Sequence, residues 1–192
     1  MQYIGLLGRI RQNGLLYTLW RGGGDMGFKY TSETFQISAG ALETAPNTLQ
    51  TQTINMNLDS LSREILVIQY VDMDFAGAPD LVAGVTTVLR ASLNNSDVGA
   101  SGLANAQVIA TSRQTIVFDG VAAVSFSDAE PRNGNAAADQ ALFVSATDDL
   151  FLSVQGTGNV AAVGNVQCRI FARRAVATAD TYAAILTSQF NS

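Results

Sequence analysis

Histidine is absent from this chain of 192 residues, and cysteine and lysine occur once each, as Cys168 and Lys29. Imidazole, thiolate and perturbed lysine groups carry most proton-transfer and nucleophilic chemistry near neutral pH. Ser-His-Asp and Cys-His mechanisms are therefore excluded, and a zinc site would lack its usual ligands. The composition predicts a protein that binds or assembles, that is not an enzyme and that needs no cofactor.

Charged residues are also scarce, at 14% of the chain against about a quarter in a typical soluble domain. The formal net charge of -5 disfavours direct nucleic-acid binding, because phosphate contacts need clustered Lys and Arg. A surface with so little charge is either rich in Asn, Ser, Thr and Gln or covered by neighbouring copies of the same chain, since interface cores are depleted of charged side chains. The composition is compatible with both alternatives.

Targeting and disulfide signals are missing as well. Cys168 is alone, so no intrachain disulfide is expected, and its neighbours place it on a strand in a structural role. Arg9 and Arg11 interrupt the first apolar stretch, which does not have the form of a secretory signal. No apolar run approaches the roughly twenty residues that span a bilayer. We expect a protein made in a cytoplasm and kept there until it is assembled.

The first 24 residues differ in pattern from the rest of the chain. Their apolar side chains follow a helical spacing of three to four residues, and glycines at 22–24 end the segment as a hinge. This pattern predicts an arm that contacts a neighbouring subunit or lies on a membrane surface. The alternative is an arm that packs on its own core. The predicted contact residues are Tyr3, Leu6, Leu7, Ile10 and Trp20.

From Phe28 onward the pattern is that of short strands separated by Gly, Asn, Ser and Asp. The clearest alternation lies at 53–58, and residues 64–75 are first continuously apolar and then alternating, which predicts a strand buried on both faces at its start. Asp119-Gly120 predicts a type I′ hairpin. The last strand, 165–172, places Val166, Cys168 and Ile170 on one face.

These elements predict an all-β fold, an antiparallel β-sandwich of jelly-roll type with an N-terminal apolar arm and a short C-terminal helix. The expected divisions are an arm and Gly hinge at 1–24, the sandwich at 25–174 and a helical tail at 175–192, with Asp180 as its N-cap. No repeat of fixed period is present, which argues against a propeller or solenoid.

Two sets of charged side chains are candidate binding groups. Asp72 and Asp74 are two residues apart on a strand and share a face, where they could bind a divalent cation or simply be solvated. The acidic residues near 148–149 offer the same two alternatives. Arg169, Arg173 and Arg174 form a local basic group. It could contact an anionic surface, such as lipid headgroups, packaged nucleic acid or acidic residues of a neighbour, or be a solvated strand end.

The long strand at 64–75, the arm at 1–20 and the end strand at 165–172 followed by Arg173-Arg174 give a pattern that resembles a viral single jelly-roll capsid protein. The resemblance implies two four-stranded sheets and many copies arranged in a closed shell, located in the virion. It also implies other shell proteins or an internal membrane as further partners. The basic arm that many such proteins use for genome binding is missing here.

The sequence therefore predicts a structural, self-assembling shell subunit, a major or minor capsid protein. The first alternative is a carbohydrate- or receptor-binding β-sandwich module of a fibre or surface appendage. A second alternative is a β-sandwich hydrolase, which would need carboxylates converging in one cleft.

Overall fold

The computed structural model describes residues 27–76, 82–130 and 141–190. Its strands are β1 (Phe28–Tyr30), β2 (Phe35–Leu42), β3 (Leu49–Asn55), β4 (Glu64–Phe75), β5 (Thr86–Asn94), β6 (Val108–Phe118), β7 (Ala123–Glu130), β8 (Phe143–Ser145), β9 (Asp149–Thr157) and β10 (Asn165–Ala177). One helix, α1 (Ala179–Phe190), follows them. The predicted arm at 1–24 lies outside the described residues.

The strands form two antiparallel sheets. Sheet A has the order β1-β10-β4-β8, with β2 also paired to β10, and sheet B has the order β3-β9-β5-β6-β7. Strand β10 pairs with β2 along its first part and with β1 along its last three residues, so β1 and β2 together form one interrupted edge.

The pairing of strands is nested along the chain. β2 pairs with β10, β3 with β9, β4 with β8 and β5 with β6. This nesting is a long hairpin wrapped into two sheets, which is the topology of a jelly roll. The predicted all-β, jelly-roll sandwich with a short C-terminal helix is confirmed.

The core lies between the inner faces of the two sheets. Alternate residues of β10 face inward: Val166, Cys168 and Ile170 are buried as predicted, and Ala172 is buried as well. Leu150, Leu152 and Val154 of β9 face inward from sheet B into the same cluster. The period-two pattern of the sequence thus predicts the buried face of these strands correctly.

After Glu64, strand β4 continues with four fully buried residues, Ile65 to Ile68, because both faces of sheet A are covered there. Leu66 and Ile68 belong to the main core, whereas Ile65 and Val67 belong to a second cluster. That cluster lies under α1, with the half-buried helix side chains Tyr182, Ile185 and Leu186 packed against it. The helix therefore explains the continuous apolar run.

Several local predictions differ from the structure. Helix α1 begins at Ala179, and the residue that caps it is Thr178, whose Oγ1 accepts a hydrogen bond from the Thr181 N–H at 3.4 Å. Asp180 lies within the first turn instead. The β6–β7 hairpin has a four-residue loop, since Asp119 Oδ1 accepts the N–H groups of Val121 and Ala122 at 2.8 Å each. Residues 27–76, 82–130 and 141–190 contain no helix with the length and apolar character needed to span a bilayer.

Candidate functional site

The outer face of sheet A carries the acidic pair predicted from the sequence. Asp72 and Asp74 both lie on the exposed face of β4, as their spacing requires. They line an open cleft of about 490 Å³ together with Ser38 and Gly40 of β2 and with Gln167 and Arg169 of β10. The cleft exists because the residues of β2 at this point are small, and the longer polar side chains of β4 and β10 border it.

Arg169 lies between the two neighbouring strands in this cleft. Its register partners are Ser38 on β2 and Asp72 on β4. Arg169 and Asp72 are neighbours in register but do not form a direct ion pair, because the ion pair found among the described residues joins Arg174 to Glu64. Within the same ranges, no third metal-ligating side chain joins Asp72 and Asp74. The cleft is therefore a mixed-charge polar surface.

The other two predicted arginines do not share this cleft. Arg173 lies over the ring of Tyr30, with its guanidinium carbon 3.7 Å from the ring centroid, and its Nε donates to the Ser32 carbonyl. Arg174 has the next position on the strand and so leaves from the opposite face. The predicted basic group is thus divided by strand alternation.

Arg174 anchors the loop that joins β3 to β4. Its Nη1 donates to Glu64 Oε2 at 2.8 Å and to the Asn57 carbonyl at 3.2 Å, and its Nη2 donates to the Met56 carbonyl at 2.7 Å. Arg174 is two-thirds buried in this arrangement. Its hydrogen bonds indicate a structural role and leave Arg169 as the exposed member of the predicted group.

Cys168 is buried on the inner face of β10, only 3% exposed. Burial, and secondarily the negative charge of Asp72, raises the pKa of its thiol to about 12. A thiol with that pKa is protonated at neutral pH and has little nucleophilic character. The geometry agrees with the predicted structural role.

A buried carboxylate that the sequence pattern does not single out joins the loops at one end of the sandwich. Glu43 is 2% exposed. Its carboxylate accepts hydrogen bonds at 2.6 Å from the N–H groups of Gly156 and Gly164 and from Asn159 Nδ2. Gly164 sits so close that a side chain there would meet Glu43 and Leu89. The sequence around Glu43 does not predict its burial, because the groups that donate to its carboxylate lie more than a hundred residues away.

The edge of sheet B that β7 forms among the described strands is an exposed apolar surface. β7 is the last strand of the sheet, and its residues from Ala123 to Ser127 are exposed on both faces. Val124 is 52% exposed and Phe126 is 62% exposed, and Val117 of β6, the register partner of Val124, is 43% exposed. We call Val117, Val124 and Phe126 the edge patch.

The structure brings together Asp72, Asp74 and Arg169, and it separates them from Arg173 and Arg174. The predicted contact residues Tyr3, Leu6, Leu7, Ile10 and Trp20 lie outside the described residues. The edge patch could be found in the sequence only as an apolar alternation, because exposure depends on which strand ends the sheet. Neither the models of known protein families nor the curated proteins matched this sequence.

Proposed function

We propose that this chain is a structural shell subunit that self-assembles in many copies, as a major or minor capsid protein of a virion does. The observation that carries the proposal is the edge patch on the β7 edge of sheet B. Copies of the same chain are the proposed partners. A jelly roll by itself does not name a function, because the fold serves shell proteins, lectins and enzymes alike.

An edge strand presents a row of unpaired N–H and C=O groups, which makes it a template for another chain. Natural monomers protect such an edge with charges, proline or a covering segment. Residues 123–127 of β7 read AVSFS and contain neither charge nor proline, and the acidic residues of the strand, Asp128 and Glu130, fall only at its end. The edge patch therefore supports contact with a further copy, by strand addition or by packing on the apolar side chains.

The composition supports the same conclusion. Charged side chains make up only 14% of the chain, as expected for a surface that neighbouring subunits cover. Repeated contacts of modest strength are sufficient in a closed assembly, because symmetry multiplies each of them. The apolar arm at 1–24 would add a second contact, with a neighbouring subunit or an internal membrane.

Charge introduced at the edge patch tests the proposal. Burial of a whole Phe side chain is worth about 1.5–3 kcal/mol, so the exposed 62% of Phe126 represents about 1–2 kcal/mol per contact. We expect Phe126→Lys to raise the concentration at which particles form by about tenfold or more. Sedimentation velocity over a range of concentrations, with negative-stain microscopy, measures this.

Leu61→Lys is the matched control, because Leu61 is 95% exposed on the loop between β3 and β4, away from the patch. It should assemble like the wild type. A wild-type protein that stays monomeric at high concentration would refute the proposed function. Assembly of Phe126→Lys at the wild-type concentration would remove the edge patch as its basis.

Deletion of residues 1–24 tests the arm separately. The truncated chain retains every described element, so it should fold and keep the β-sheet signal of the full chain in circular dichroism. We expect it to give smaller or less regular particles. Assembly identical to that of the full chain would eliminate the arm as a contact.

The cleft on sheet A favours the alternative of a carbohydrate- or receptor-binding module. Next to this cleft, on the same outer face, Tyr70 of β4 and Phe171 of β10 are register partners with ring centroids 5.6 Å apart. Carboxylates, amides and an adjacent aromatic pair are groups that bind sugar hydroxyls and ring faces. Glycan-array binding that is lost in Asp72→Asn, by a protein that forms no particles, would favour this alternative.

A further inference from the structure

Two arginines lie side by side on the outer face of sheet B. Arg90 of β5 and Arg113 of β6 are direct register partners in the antiparallel pair, and both are exposed. Side chains at directly opposite positions of such a pair have Cβ atoms about 4.5–5.5 Å apart, and like charges there are destabilising. The pair occurs in a chain with only 11 basic residues against 16 acidic ones.

The two guanidinium groups have no protein partner among the side chains that the structure describes. The ion pair found there joins Arg174 to Glu64, and neither Arg90 nor Arg113 has a hydrogen bond to a described group. Along the same register row, Gln155 precedes Arg90 and Asp128 follows Arg113. By residue type, the four positions of this register row therefore comprise two arginines, one glutamine and one aspartate.

The pair borders a cleft instead of lying on a flat sheet. Arg90, Arg113 and Thr111 line a space of about 230 Å³ that is closed on one side by residues 100–102. Hydrogen bonds from β5 fix the start of this loop against the sheet, because the Gly99 carbonyl accepts from Ser92 Oγ at 2.9 Å and from Asn94 Nδ2 at 2.8 Å. The wall of the cleft is thus attached to buried side chains of β5.

The chemistry of the lining selects an anion. A guanidinium presents a planar fork of donors that matches the oxygens of phosphate or carboxylate groups. Thr111 adds a hydroxyl, whereas the hydroxyl hydrogen of Ser101 already goes to the Val98 carbonyl at 2.7 Å. Since one water occupies about 30 Å³ in the liquid, the cleft has room for a small oxyanion and a few waters.

We propose that Arg90 and Arg113 form an oxyanion-binding site, which takes a phosphate or carboxylate group between the two guanidinium forks. An anion at this position removes the like-charge repulsion and supplies acceptors for both side chains. The group can come from a free ion or from an acidic side chain of a second copy. The site does not depend on the shell function proposed above.

Inorganic phosphate is the probe for the site. The melting temperature of the full chain is measured against phosphate concentration at a constant ionic strength of about 0.15 M, where the long-range field of the net negative charge is screened. A ligand that binds only the folded state raises the melting temperature in a saturable way. We expect a saturable increase that sodium chloride does not produce.

Arg90→Gln and Arg113→Gln should each weaken the apparent phosphate affinity by about tenfold, the loss expected for charge-assisted hydrogen bonds. Each should fold as well as the wild type in the absence of phosphate, because a like-charge neighbour is removed. Arg63→Gln is the matched control, an exposed arginine on the loop between β3 and β4, and should respond like the wild type.

Sedimentation velocity with and without phosphate distinguishes the two sources of the anion. Phosphate that lowers the mass of the assembly, with Arg90→Gln lowering it as well, identifies an acidic side chain of a second copy. A rise in melting temperature with unchanged mass identifies a free ion. Either result supports the site. The proposal is overturned if phosphate has no greater effect than chloride, or if Arg90→Gln and Arg113→Gln respond like the wild type.

Discussion

Glu43 offers the most direct test of how this sandwich is held together. Its carboxylate is buried just after β2, where it accepts three hydrogen bonds at 2.6 Å, one from the end of β9 and two from the loop that connects β9 to β10. One oxygen accepts the Gly156 N–H, and the other accepts the Gly164 N–H and Asn159 Nδ2. The perturbation is Glu43→Gln, which preserves the shape and removes the charge and one acceptor.

The magnitude follows from this geometry. The glutamine oxygen can keep the two donors of Gly164 and Asn159, and its amide group then faces the Gly156 N–H, donor against donor. An unsatisfied buried donor costs about 1–3 kcal/mol, and the two remaining bonds lose the charge that makes them about twice as strong as neutral ones. Part of this loss is offset because no charge needs to be buried. We expect the free energy of unfolding to fall by about 3 kcal/mol, a large part of the 5–15 kcal/mol typical of a domain.

Urea unfolding followed by circular dichroism measures the change, and amide hydrogen exchange at Gly156 and Gly164 localises it. Both amides should exchange faster in Glu43→Gln than in the wild type. Glu33→Gln is the control, since Glu33 is exposed and its substitution should stay within about 0.5 kcal/mol of the wild type. If Glu43→Gln also stays within that limit, the three short hydrogen bonds contribute no net stability and the reasoning is wrong.

Two further predictions concern β10. Burial raises the pKa of Cys168 from 9.0 to about 12, so between these pH values the folded state keeps a proton that the unfolded state loses. The contribution of the neutral thiol to the free energy of unfolding is therefore complete below pH 9 and falls as the pH rises toward 12. Unfolding of wild type and Cys168→Val from pH 8 to 11 checks this, and parallel pH profiles would contradict it. Arg174→Met, which removes the Glu64 ion pair and two carbonyl contacts, should lower the free energy of unfolding by about 2–3 kcal/mol, whereas Arg169→Gln should have little effect; equal effects in urea unfolding would refute the anchoring role of Arg174.

The period-two pattern predicted the buried faces of the strands because strand geometry is local. Val166, Cys168 and Ile170 alternate with polar residues, and each is buried. The apolar run at Ile65–Ile68 also predicted burial on both faces, although the covering element, α1, could not be named from the run itself. The same local reasoning placed Asp72 and Asp74 on one exposed face.

Local pattern was less successful where side chains compete for the backbone. Asp119-Gly120 indicated a two-residue turn, but the Asp119 carboxylate accepts two backbone N–H groups and holds a wider loop. These hydrogen bonds also lower the pKa of that carboxyl group. Thr178, and not Asp180, caps the helix, because β10 continues to Ala177 and leaves Thr178 at the junction.

Absent residue types and alternating hydrophobicity were enough to exclude histidine-based catalysis and to predict short strands with a buried face in an all-β fold, since both depend only on composition and neighbouring positions. The pairing of Arg90 with Arg113, the burial of Glu43 among distant donors and the exposure of Phe126 at a sheet edge depend on which strands meet. Those contacts join segments that can be more than a hundred residues apart. Such long-range pairing is a property of the whole chain, and no local window of sequence contains it.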